Sequence, residues 1–386
     1  MWQSSQCAER PSAFGGSRAL LEDFAFSREE IPRVTKHVLE RHTDEVWFVA
    51  YSHDGTKLAT AAKDAVVAVW EVASMLSSTT SMAINPSNGA AVSNLAGTKM
   101  LCGHTDALCA IAWSPDDSHL LTCACDQLIK MWDVNSGECV QTFSRHTESV
   151  TAIAWLPDGN YFISAGVDKT VLLWGVASGA VLSSWTGSRV HNLAVNSHGT
   201  QLIAACERGI RVCPIETMSS ETPTLTVTEE LWIEESEPIT SLCLTKDGRH
   251  ALVNTASQEI HLWELPSRSL IHRYIGHKQG RFVIRAAFGG VDESFVVCGS
   301  EDSQVYIWHR HSATLLEVLP GHSGAVNAVC WSPRHCMFAS ASDDHTVRVW
   351  EPGSSSRSRG GVGAVGGAGG AEAGEEEGGG EETMLQ

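Results

Sequence analysis

The stretch SAGVDKTVLLW, Ser164–Trp174, decides how the chain is read, because its internal spacing returns in four other places. Asp168 stands six residues before Trp174, and the same step joins Asp64 to Trp70, Asp126 to Trp132, Asp302 to Trp308 and Asp344 to Trp350. Upstream of each pair lies a histidine: His42, His104, His146, His277 and His322. The histidine-to-aspartate distance is 22 residues in four units and 25 in the unit opened by His277, where AAFGGVDESF is expected to carry a longer turn. Repetition at a fixed period marks an array of like units, none able to bury its apolar face alone.

Between histidine and aspartate the residues read as two strands and a turn. VTAIAW, LPDGN and YFISAG form one instance; VNAVCW, SPRHC and MFASAS form another. Alternation bounded by Pro, Asp and Gly is the hairpin signal. A third strand ends at the tryptophan, and a fourth, such as CVQTFS (139–144), leads to the next histidine. Four strands per unit describe a propeller blade. Two further units keep the strand pattern but lose the markers: one has Glu207 and Cys213 in place of Asp and Trp, the other Ser257 before Trp263. Counting both gives seven, and an all-β, seven-bladed β-propeller is the predicted fold. The last unit stops at Trp350 without a fourth strand, while RVTKHVLE (33–40) is spare at the start. That segment is expected to complete the last blade and close the ring. Residues 1–30 are expected to be a short helix or disordered, 31–352 the propeller, and 353–386 a disordered Gly/Ala/Glu-rich tail. The segment 73–98 reads as a long polar loop.

Composition narrows the function classes. The chain has 386 residues, 43% hydrophobic, and no run of 18 apolar residues that would span a membrane. Its start lacks a basic-then-apolar leader, and no Asn-x-Ser/Thr acceptor occurs, which suits an intracellular protein. A formal net charge of −18 disfavours nucleic acid as a partner. Twelve cysteines include Cys109, Cys123, Cys206, Cys243, Cys298 and Cys330 inside apolar runs, with no Cys-x-x-Cys pair, so reduced thiols acting as small hydrophobes are expected. No Gly-x-x-x-x-Gly-Lys-Ser/Thr loop is present, and the histidines lack ligand spacing. No metal, cofactor or catalytic set is expected.

The units resemble the WD-repeat family, GHTDALCAIAWSPDDSHLLTCACDQLIKMWD being the nearest match. The resemblance implies a buried hydrogen-bonded set of His, Ser/Thr, Asp and Trp in each blade. It maps onto His42, Thr60, Asp64 and Trp70; His104, Thr122, Asp126 and Trp132; His146, Ser164, Asp168 and Trp174; and His322, Ser340, Asp344 and Trp350. His277, Asp302 and Trp308 meet Cys298 at the hydroxyl position, so that network should be weaker. Ser, His and Asp are also the parts of a hydrolytic triad. A triad present in every well-formed unit points to scaffolding, and Ser164 has no Gly-x-Ser-x-Gly elbow.

LLEDFAFSREEIPRVTKHVLERHTDEVWFVAYSHDGTKLATAAKD and YIGHKQGRFVIRAAFGGVDESFVVCGSEDSQVYIWHR look like the propeller subunits of CTLH (GID) type ubiquitin ligases. What this implies is a non-catalytic scaffold, cytoplasmic or nuclear, whose partners are ligase subunits, substrates or adaptors. Only ALLEDFAFSREEIP resembles the end of the LisH/CTLH region that precedes such propellers, so oligomerisation through that region is not expected. The alternatives are a free-standing signalling scaffold and a cullin-4 type substrate receptor. The latter expects Trp-Asp-x-Arg, whereas Trp132-Asp133 is followed by Val134 and Asn135, and Trp350 by Glu351. Residues just before each blade Asp or shortly after each blade His should ring one mouth: Lys63, Val167, Glu301 and Asp343, with Trp47, Arg281, Phe282 and Arg285. For Trp47 and Phe282 the competing reading is strand packing.

Overall fold

In the third blade, Val150–Trp155 pairs antiparallel with Tyr161–Gly166, then Thr170–Gly175 and Val181–Thr186 follow in order. The two middle strands are buried along nearly their whole length, whereas the outermost is largely open to solvent. This explains the near-continuous apolar runs FISA and VLLW: both faces of a middle strand are covered by neighbouring blades. The computed structural model describes residues 31–77, 83–84, 91–92, 97–207, 209–217, 223–225 and 232–353. The expectations for 1–30 and for the tail beyond 353 fall outside the described residues.

Seven sheets are present, and the chain is a seven-bladed β-propeller. Their innermost strands are Val46–Tyr51, Leu108–Trp113, Val150–Trp155, Val190–Val195, Ile239–Leu244, Ala286–Gly289 and Val326–Trp331, blades one to seven. Each packs beside the next, and the first meets the last. The core is correspondingly divided: seven apolar clusters each span one blade-to-blade interface. Tryptophans cross these interfaces, Trp113 Nε1 donating to the Ala50 carbonyl and Trp155 Nε1 to that of Ala112, both at 3.1 Å.

Closure occurs as expected. Pro32–Leu39 lies antiparallel to Val347–Pro352, with Thr35 opposite Trp350 and Leu39 opposite Val347. Lys36 pairs with Glu351 at 2.8 Å across this seam. Leu39 enters the interface between blades seven and one, and Ile31 that between six and seven. One reading needs correction. Segment 73–98 begins as a short helix, Val72–Leu76, and includes two short strands, Ala83–Ile84 and Ala91–Val92, the latter beside Val38 of the closing strand. The helix forms because Val72 and Met75 are buried in the seam, and the Met75 carbonyl accepts from His37 Nε2 at 2.7 Å. In blade four the long strand Gly209–Thr217 takes two partners on its outer side, Pro223–Leu225 and Trp232–Glu234.

Leu39→Ala, in a side chain only 1% exposed, should lower unfolding free energy by about 2–5 kcal/mol. Deleting residues 32–39 should remove the cooperative thermal transition. Calorimetry showing a shift no larger than that of trimming the outer strand Val181–Thr186 would contradict the closing role.

Candidate functional site

Four blades carry the same hydrogen-bonded chain. In blade three, Trp174 Nε1 donates to Ser164 Oγ at 2.8 Å, which donates to His146 Nε2 at 2.7 Å, and His146 Nδ1 donates to Asp168 at 2.9 Å. This direction is the one that satisfies every group with a neutral ring and an ionised carboxylate. Blade one repeats it through Trp70, Thr60, His42 and Asp64 at 3.2, 2.8 and 3.1 Å. Blade two repeats it through Trp132, Thr122, His104 and Asp126 at 2.9, 2.8 and 2.7 Å. Blade seven repeats it through Trp350, Ser340, His322 and Asp344 at 2.8, 2.8 and 2.9 Å. Each aspartate also caps backbone: Asp168 accepts from the N–H groups of Thr147 and Thr170 at 3.0 Å. All four hydroxyl residues are fully buried. A nucleophile must face its substrate, and Ser164 faces only its own blade.

Blades five and six depart from this chain in different ways. In blade six the Asp302 carboxylate accepts from Tyr306 Oη at 2.8 Å, and Trp308 Nε1 donates to the Ile275 carbonyl at 3.1 Å. Both His277 nitrogens are buried without a hydrogen-bond partner: Cys298 stands where the hydroxyl would meet Nε2, and the Asp302 carboxylate that would meet Nδ1 is taken by Tyr306. In blade five, Glu235 occupies the opening-histidine position and accepts from Trp263 Nε1 and from His261 Nδ1, the latter at 2.9 Å. Sequence reasoning missed this substitution, since Glu235 and His261 match no repeat marker.

The channel mouth follows from a second regularity. In six blades the innermost strand has a register shift that skips one residue: Trp47, Cys109, Thr151, His191, Thr240 and Asn327. A bulge frees one residue from pairing and turns its side chain. These six, with Arg285 of blade six, line a central cavity of about 280 Å³. That is below the size that encloses a drug-sized ligand and suits one or two inserted side chains. The skipped residue lies five after the blade histidine in blades one, two, three and seven, so the repeat register could have named Cys109, Thr151 and Asn327.

Of the residues predicted to ring the mouth, Trp47, Arg281, Phe282 and Arg285 do line this cavity. Phe282 is 45% exposed and Val283 44%, an open apolar pair at the rim. Arg285 reaches across the channel to the carbonyls of Trp47 and Cys109 at 3.4 and 3.2 Å, with its guanidinium 4.9 Å from the Phe48 ring centre. The residues before the blade aspartates stand behind the ring and brace it. Glu301 accepts from the N–H groups of Gly280, Arg281 and Phe282 at 2.6, 2.8 and 3.0 Å, fixing the loop that presents Arg281 and Phe282. Burial opposes ionisation of Glu301, yet these three bonds and the Arg281 charge hold its carboxyl below the usual range. Asp343 accepts from Asn327 Nδ2 at 2.6 Å, and burial raises its carboxyl. Lys63 pairs with Asp44 and Glu45, and Val167 bonds through its backbone to Ser149 without lining the cavity.

The spacing of 25 in blade six also needs correction. Thr60 pairs with Val49 in blade one and Cys298 with Ala286 in blade six. These partners are 11 and 12 residues apart, so the AAFGGVDESF turn supplies one extra residue. The other two lie between His277 and Ala286, in the segment that carries Arg281 and Phe282. The insertion lengthens the mouth.

Mouth charge is uneven. Arg189 and Arg281 make no ion pair among the described residues, and Arg285 bonds carbonyls instead of a carboxylate. The one lining acid, Glu45, is paired with Lys63 at 3.5 Å. Burial and the Arg189 charge hold His191 below the ordinary histidine range. The mouth is cationic on a chain of net charge −18.

Asp168→Ala should cost about 1–3 kcal/mol for the orphaned His146, and Asp302→Ala combined with Tyr306→Phe, which leaves neither the Tyr306 hydroxyl nor His277 newly orphaned, clearly less; equal urea midpoints would refute this. The pH dependence has two arms. Burial holds His104 and His322 below their ordinary 6.5, so the unfolded chain gains protons first and stability falls as pH drops below 6.5. Burial disfavours ionised Asp64, Asp168 and Asp344, but hydrogen bonds lower all three overall, first from His42 in Asp64, Thr170 in Asp168 and His322 in Asp344, which adds loss below 3.8. His261 is opposed by burial but raised by Glu235 and Glu259, so its contribution is complete below 6.5 and vanishes as pH rises through its folded value. His261→Gln should remove only that alkaline arm from a urea-midpoint titration.

The family model described as WD domain, G-beta repeat matches residues 33–71, 97–133, 137–175, 268–309 and 313–351. The chain is 39% identical over 337 residues to a WD repeat-containing protein 26 homolog of Arabidopsis thaliana, covering 86% of this chain and 53% of that protein. It is 33% identical over 339 residues to the Drosophila melanogaster protein of the same description, covering 86% and 50%. It is 35% identical over 341 residues to GID complex subunit 7 of Schizosaccharomyces pombe, covering 86% and 61%. The chain thus spans between 50% and 61% of the length of these relatives.

Proposed function

This chain belongs to the WD domain, G-beta repeat family, and from that footing we propose that it is a non-catalytic scaffold subunit of a GID (CTLH) type ubiquitin ligase, working in the cytoplasm, the nucleus or both. The observation that carries the reading is the extent of the likeness. An alignment covering 86% of the chain cannot be filled by the five matched repeats, so it runs into the irregular blades four and five as well. A propeller that resembled its relatives only in the repeat markers would not extend there.

In this reading the channel mouth engages a substrate or adaptor. Aromatic and arginine side chains at a rim are frequent anchors in protein interfaces, and Phe282 with Arg281 offers both. The unpaired guanidiniums suit a segment that carries an acidic side chain. The four buried Ser/Thr–His–Asp sets give rigidity and leave ubiquitin transfer to other subunits.

Affinity purification of the tagged full chain should recover GID (CTLH) type subunits; recovery of a cullin-4 adaptor in their place would favour the receptor alternative. Phe282→Ala with Arg281→Ala should reduce capture of the mouth-bound partner by about tenfold or more, with the unfolding midpoint unchanged. Undiminished capture would move the contact to another face.

A further inference from the structure

Blade two differs from the others in what braces its channel residue. The position before the blade aspartate is Glu301 in blade six and Asp343 in blade seven; in blade two it is Cys125. The residue it supports is Cys109, and the two sulfur atoms lie 3.5 Å apart. Cys109 lines the cavity, so a small reagent entering the mouth reaches the pair. The Arg285 guanidinium is held beside Cys109 by its bond to that residue's carbonyl at 3.2 Å, and its charge favours the Cys109 thiolate, whereas the charged neighbours of Cys125 are Asp106 and Asp126. Partial exposure and a nearby cation are marks of reactive thiols, and the pair has both at its Cys109 end.

The neighbouring thiols make the contrast. Burial pushes Cys123, Cys206, Cys213, Cys243, Cys298 and Cys330 above the ordinary thiol range, as expected of inert small hydrophobes. Cys125 moves the other way: its hydrogen bond with Cys109 outweighs burial and holds its thiol low. Cys109 is pushed up by the same bond and by burial. Two sulfurs in contact mean that when one is oxidised the other is already in place to resolve it.

We propose that Cys109 and Cys125 form a reversible disulfide that makes the channel mouth responsive to hydroperoxides. The Cys125 thiolate attacks one peroxide oxygen; the O–O bond breaks, the alcohol or water departs with a proton, and a sulfenic acid remains on Cys125. The Cys109 sulfur then attacks the Cys125 sulfur, an S–S bond forms, and the hydroxyl leaves as water with the Cys109 proton. In sum, two thiols and one hydroperoxide give a disulfide, one alcohol (or water) and one water. The sulfurs need to approach by about 1.5 Å to reach bonding distance. The bulge at Cys109, free of ladder pairing, is where the backbone gives most easily. The bond would fix the channel wall beside Arg285 to the turn that precedes Asp126, and a dithiol reductant would release it.

The test treats the intact chain with graded hydrogen peroxide, blocks free thiols, and maps linkages by mass spectrometry without reduction. The expected product is a Cys109–Cys125 linked peptide that disappears with dithiothreitol. It should form at least about tenfold faster than oxidation of the exposed Cys102, Cys139 and Cys336. Cys125→Ser should abolish early peroxide consumption, while Cys109→Ser should leave a sulfenic acid on Cys125 that a dimedone probe captures. Far-ultraviolet circular dichroism of both variants checks the fold, and the wild-type linkage map stands without them. Oxidation that spreads first over the exposed cysteines, or a Cys125 sulfenic acid that never resolves onto Cys109 in the wild type, would overturn the proposal.

Discussion

A blade of this propeller has two apolar faces and only its neighbours to cover them. That constraint organises everything else. The seven apolar clusters sit between sheets, so no blade has a private core and none can be removed without uncovering two interfaces. A ring satisfies this demand where an open stack would leave two bare ends. The pairing of Pro32–Leu39 with Val347–Pro352 therefore fastens the ring at the point where opening would expose most. Its side chains enter the interfaces on both sides of blade seven, Ile31 toward blade six and Leu39 toward blade one.

Within the four regular blades, polar groups do what apolar packing cannot: they set register. The Trp–Ser/Thr–His–Asp chain ties the third strand, the second strand and the segment before the first to one another. Stacked rings at the same level, Phe162 on Trp174 and Phe338 on Trp350 with centres 5.8 Å apart, back the indole that begins the chain. Blade five shows that other residues can make a satisfied buried network, and blade six that the ring tolerates a broken one. Glu235 and His261 rebuild it with the acid and the ring exchanged, whereas Tyr306 takes over the Asp302 carboxylate and strands His277.

The functional surface grows out of irregularity in this regular frame. One skipped residue in each of six innermost strands turns six side chains toward a common axis, where Arg285 of blade six joins them. The frame is indifferent to what these residues are, which leaves them open to recognition. Trp47 and Arg285 stand in the same ring as Thr151, and Cys109 beside Cys125 adds redox chemistry to the same surface.

The chain's periodic residues made the fold readable. Six-residue Asp-to-Trp steps marked five units, the strand pattern added two, and a spare strand at the start foretold the closing pair, because all follow from local pattern and from the need to hide sheet edges. The hydrogen-bonded sets were legible for the same reason. Other features depended on partners remote in sequence. Glu235 becomes a network member only because the fold brings it beside His261, and Met75 is buried only because the closing strand arrives over it. The mouth was half legible: Arg281 and Phe282 line the cavity, but the insertion that projects them was assigned wholly to the hairpin turn. Lys63, Glu301 and Asp343 turned out to brace the surface. Sequence by itself determined which residues alternate, repeat and pair with near neighbours. Tertiary structure alone decided which side chains converge on the axis, since that depends on a one-residue bulge in each of six strands and on seven blades meeting at one point.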